Sequence, residues 1–176
     1  MKKFLKIFCL LVPILLAVPA LCLAGEFRVT MVYDGDTVKA GTPDIIIYIM
    51  LVGIDAPEIS NRADQPDQAF GQKAREMLTR MLMNQPVVVE GYGTVPYPDK
   101  NIISVIYVKG KNVNLEMVKL GLAEVQRGNL PQGFDIEPYL KAEHEAKEAK
   151  RGMWILGDKY ISPAKWRELH GSAKEK

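Results

Sequence analysis

Residues 27–58 read FRVTMVYDGDTVKAGTPDIIIYIMLVGIDAPE, and this stretch decides the fold. Phe27 to Tyr33 alternates loosely between apolar and polar residues and reads as a strand. Asp34-Gly35-Asp36 is a turn signal, and Thr37-Val38-Lys39 reads as the returning strand. Gly41-Thr42-Pro43-Asp44 is a second turn. Ile45 to Val52 is apolar and rich in β-branching, which predicts a strand buried on much of both faces. Two tight turns between three short strands are the start of a β-meander.

Working outward, Gly53 to Pro66 is a polar loop, and Asp67 to Met83 carries Phe70, Ala74, Met77, Leu78, Met81 and Leu82 at helical spacing. Val87 to Glu90 and Ile102 to Val108 read as further strands, separated by a loop, Gly91 to Lys100, that holds two glycines and two prolines. Asn114 is positioned to cap a short helix that Gly121 ends. Leu122 to Val125 reads as a short strand. Asp135 precedes a second amphipathic helix that Gly152 ends, and Ser162-Pro163 caps a helical turn. Strands first, an interposed helix, then more strands and helices predict an α+β fold: a small closed β-barrel with helices packed on it, as one domain over residues 25–171. Residues 172–176 read as a frayed tail.

The first 24 residues have the layout of a secretory signal peptide. Lys2, Lys3 and Lys6 precede an apolar run from Phe8 to Ala20, with small residues after it. The leader holds three of the 23 basic residues and none of the 21 acidic ones. Cleavage after Ala24 therefore turns the formal charge from +2 to −1. Both cysteines, Cys9 and Cys22, leave with it, so disulfides, thiolate nucleophiles and Cys-ligated metals are excluded. With only His144 and His170, a zinc site or a Ser-His triad is not expected. A secreted or periplasmic monomer with no stable membrane span follows from this reading.

Carboxylates flank the two turns: Asp34 and Asp36 around Gly35, and Asp55 and Glu58 after the apolar strand. If these turns are neighbours, Asp36, Asp55 and Glu58 converge. Carboxylates at short range repel, so such a group calls for a cation. Oxygen ligands without Cys or His favour calcium or magnesium. The same dipeptides also make ordinary turns.

Tyr-Asp-Gly-Asp-Thr-Val (33–38) followed by Leu-Val-Gly-Ile-Asp-Ala-Pro-Glu (51–58) resembles the thermonuclease, or staphylococcal nuclease, family. Phe70-Gly71-Gln72-Lys73-Ala74, Asn112-Val113-Asn114, Gly121-Leu122-Ala123 and Gly152-Met153-Trp154 fall in the family's order, and the similarity runs over about residues 27–170. The resemblance implies a five-stranded OB-type β-barrel with three packed α-helices and calcium-dependent hydrolysis of DNA or RNA phosphodiesters. It implies calcium ligation by Asp36, Asp55 and the Ala56 carbonyl, with Glu58 activating the attacking water.

Two departures bear on activity. The family places substrate-binding arginines at the positions of Met50 and Asn101. Removing one preorganised donor of that kind costs ~100-fold or more. Arg127, with Arg62 or Lys100, is the set of cations considered for a shifted phosphate contact. The alternative is an OB-type binding module that keeps the metal site without efficient catalysis.

Overall fold

A computed structural model describes residues 27–60, 62–95 and 101–171. Five strands close a barrel. β1 (Phe27–Val32), β2 (Thr37–Gly41) and β3 (Ile46–Leu51) form an antiparallel meander. β5 (Pro86–Thr94) pairs antiparallel with β1, β6 (Ile102–Val108) pairs with β5, and a parallel pairing of β3 with β6 shuts the ring. Closure removes the sheet edges that an open meander would expose. A two-residue strand, β4 (Ile54–Asp55), pairs outside the barrel with β8 (Glu124–Val125), and β7 (Lys111–Asn112) extends β6.

Three helices pack on the barrel as expected: α1 (Gly71–Leu82), α2 (Val113–Lys119) and α3 (Glu137–Glu148). Val38, Ile49, Leu51, Leu78, Leu82, Ile106 and Met117 form a core shared by strands and helices. Beyond α3, a 3₁₀ segment (Gly152–Lys159) leads to a fourth helix, α4 (Pro163–His170). Ser162 caps α4, its side chain accepting from the Lys165 amide at 3.2 Å. The leader, the tail 172–176 and Lys100 lie outside the described residues. No helix among the described residues is long and apolar enough to cross a membrane.

Several local expectations need correction. β3 is not buried on both faces: Ile46 and Tyr48 are exposed, while Ile49 and Leu51 are buried. The barrel leaves its outer face open there, so the strand alternates. β5 runs on through Gly91 to Thr94, with a register shift between Gly91 and Gly93. α1 starts at Gly71 rather than at Asp67, because Phe70 takes a left-handed φ of 73°. Asn112, not Asn114, caps α2, accepting from the Leu115 amide at 2.9 Å. Asn114 is instead wholly buried. It accepts from the Ile106 amide at 3.1 Å and donates to the carbonyls of Val52 and Ser104 at 3.0 Å each.

Candidate active site

Asp36 ends the first turn. Its neighbour Asp34 fixes that turn by accepting the amides of Asp36 at 2.9 Å and Thr37 at 2.7 Å. The buried Asp36 carboxylate then reaches across the fold. Oδ1 accepts from the Thr37 hydroxyl at 2.9 Å, and Oδ2 accepts from the Ala56 amide at 2.8 Å. The turn fits there because residue 35 has no side chain: a Cβ on Gly35 would lie 2.6 Å from the Ala56 methyl and 2.7 Å from that of Ala74. One contact thus locks the Asp36 turn, the residue after Asp55 and helix α1 together.

Glu58 is buried and lies at the start of the loop that leads to α1. Its amide donates to the side chain of Gln68 at 3.0 Å, and its carbonyl accepts from the Gln68 amide at 3.0 Å. Gln68 also donates through Nε2 to the carbonyl of Ile161 at 2.7 Å, just before α4. Gln65 donates to the carbonyl of His170 at the other end of α4. The loop that carries Glu58 therefore holds both ends of the C-terminal helix.

That helix brings Arg167 into the site. Nη1 donates to Asp55 Oδ1 at 2.9 Å and Nη2 to Asp55 Oδ2 at 2.8 Å, a bidentate pair, while Nη1 also donates to Glu58 Oε1 at 2.5 Å. The bond to Asp55, helped by Glu58 and opposed by partial burial, pushes the guanidinium pKa up. Sequence reasoning missed this residue. Its one signal was a capped helix whose polar face offers an arginine to a chain otherwise short of positive charge near its acids.

Asp55 is flanked on its other side by a like charge. Glu124 sits directly opposite it across the β4–β8 ladder. Burial raises the Glu124 pKa, the hydrogen bond from the Tyr160 hydroxyl lowers it, and the charges of Asp55 and Glu143 raise it again.

Asp36 meets the Ala56 amide, and Asp55 and Glu58 share the Arg167 guanidinium, so the two acidic segments adjoin. Two other candidates among the described residues are paired with other acids. Arg127 donates to Glu143 Oε2 at 2.6 Å, beside Lys147 at 2.8 Å. Arg62 pairs with Asp64 at 3.5 Å on the exposed surface. A pocket of about 310 Å³ opens beside β3, lined by Met50, Val52, Tyr92, Ile103, Gln126 and neighbours, and among the described residues its lining has no charged side chain.

The site suits a hard cation in donor type, since its acids offer only oxygen. Among the described residues, no three His, Cys, Asp or Glu side chains are grouped to hold a metal ion. At Asp55 the neutralising charge is the Arg167 guanidinium.

A family model for staphylococcal nuclease homologues matches residues 48–156. A protein of Haemophilus influenzae called an uncharacterized endonuclease is 33% identical over 80% of this chain and 71% of its own length. An uncharacterized endonuclease of Escherichia coli is 30% identical over 95% of this chain and 98% of its own. A probable endonuclease LCL3 of Leptosphaeria maculans is 35% identical over 62% of this chain, which spans 38% of that longer protein.

Proposed function

The chain belongs to the staphylococcal nuclease family, and from that premise we propose that it is an exported, monomeric, calcium-dependent nuclease that hydrolyses phosphodiester bonds in DNA or RNA. The observation that carries this reading is the junction of the two acidic segments: Asp36 accepts the Ala56 amide beside Asp55, and Asp55 and Glu58 share the Arg167 guanidinium. Two acids held against one cation in a partly buried place are commonly kept for chemistry.

Asp36 and Asp55, with the Ala56 carbonyl, would hold the calcium ion. When bound, the ion would supply charge neutralisation at the phosphate. Glu58 would take the proton from an attacking water, whose oxygen would add to phosphorus as one ester P–O bond breaks. The leaving oxygen gains a proton from solvent. Leu51 and the Gln68 strap keep the two acidic segments in place: the Leu51 amide donates to the Asp36 carbonyl at 2.8 Å, and Gln68 holds the Glu58 backbone.

The test is cleavage of DNA and of RNA by residues 25–176 with calcium, with chelator, and with Glu58→Gln. Calcium-dependent cleavage that disappears in Glu58→Gln supports the reading. No cleavage by the unaltered protein rejects it. The second reading, a binding module without efficient catalysis, draws on the pocket beside Met50, whose described lining carries no charge, and nucleic-acid binding without cleavage is its signature. Export through the leader is tested by sequencing the N-terminus of the protein recovered outside the cytoplasm, which should begin at Gly25.

A further inference from the structure

We propose that Arg167 is the phosphate-binding residue of this site, with its Nε–Nη2 edge holding two oxygens of the scissile phosphodiester. This deepens the nuclease reading and rests on it for the word scissile.

The geometry of a guanidinium carries the argument. It has five N–H donors in one plane. The bonds to Asp55 use the Nη1–Nη2 end, and the bond to Glu58 uses the outer hydrogen of Nη1. The Nε–H and the second Nη2–H are parallel and point out along the remaining edge. That edge is a complete fork of the kind that matches carboxylate or phosphate bidentately. The side chain is 29% exposed, which leaves part of it open to solvent.

The cation is also held in advance. Asp55 and Glu58 fix its orientation, the Ser162 cap starts its helix, and Gln65 and Gln68 tie both ends of that helix to the loop of Glu58. A phosphate on the outer edge would lie beside the carboxylate proposed to take the water's proton. A donor fixed before substrate arrives has no reorganisation to undergo when charge develops. Among the described residues, the other candidate cations are committed. Met50 and Asn101 carry no charge, Arg127 is bonded to buried Glu143, and Arg62 to Asp64.

The test uses residues 25–176 and two dinucleotides, one joined by a phosphodiester and one by a neutral methylphosphonate. NMR titration measures binding under chelation, independently of cleavage. The unaltered protein should bind the charged linkage about ten-fold more tightly, the size of a charge-assisted hydrogen bond. Arg167→Ala should erase that preference and lower kcat/KM for a longer strand by about 100-fold or more. Arg167→Lys keeps the charge without the fork, and should stay within about three-fold of Arg167→Ala. Full retention of preference and rate in Arg167→Lys would show a charge-balancing role and overturn the proposal, as would a preference that survives Arg167→Ala. If Arg167→Ala does not fold, Arg167→Lys alone decides on the same terms. A phosphate preference without cleavage in the unaltered protein would reject the nuclease reading and leave the phosphate site standing.

Discussion

The Asp36 carboxylate accepts the Ala56 amide at 2.8 Å, a bond that spans twenty residues of chain and joins the two acidic turns. Asp36 is therefore structural as well as chemical. Asp36→Ala leaves a buried amide unpaired and should cost about 2–3 kcal/mol in urea unfolding. Asp36→Asn retains an oxygen for the amide and should cost about half as much. Calorimetry with calcium on folded Asp36→Asn should show the binding heat lost.

Gly121 and Gly152 press backbone against backbone. A Cβ on Gly152 would lie 2.2 Å from the Gly121 carbonyl oxygen, and its φ is +55°, while the same carbonyl accepts the Met153 amide at 2.9 Å. Gly152→Ala must distort one of these, at about 2 kcal/mol or more. Thermal melting should fall by roughly 4–8 °C for a domain of this size.

Two glutamates in one neighbourhood should respond to pH with opposite sign. Burial, with the charges of Asp55 and Glu143, raises the Glu124 pKa against the Tyr160 bond. The unfolded chain then gives up its proton first, and stability falls as pH rises from the ordinary carboxylate range through the raised value. Glu124→Gln should therefore gain melting temperature at pH 7, with the gain vanishing below about pH 4. For Glu143 burial is outweighed by Lys147, the Val125 amide and Arg127, which hold its pKa down. Its contribution is present above the ordinary range and is lost as pH falls through the lowered value. Glu143→Gln should be costly at pH 7 and less so in acid, in the same melting series.

Asn114 closes three backbone groups of the barrel interior. Asn114→Ala should cost about 3 kcal/mol in chemical denaturation, since buried partners are left without water. Cleavage per folded molecule should be unchanged, because the side chain touches none of the site residues.

The barrel was legible because its determinants are local. Turn residues and β-branched runs set the meander over 27–52, and the acids lie in those same turns. Register effects were less so. The outward side of β3 depends on which face the helices leave uncovered, and no residue in Ile45 to Val52 encodes that by itself. Asn112 and Asn114 illustrate a different limit: two identical residues, two apart, compete for one cap, and only the barrel interior decides which is used. Arg167 was hard to place for a third reason. It meets Glu58 across 109 residues and Asp55 across 112, and a capped helix carrying an arginine does not say which acids it will reach.

That separation also sets an order of events in the life of the chain. Asp55 and Glu58 are synthesised more than a hundred residues before the guanidinium that they share. A chain grown only as far as α3 holds Asp36, Asp55 and Glu58 without the helix that carries the arginine shared by Asp55 and Glu58.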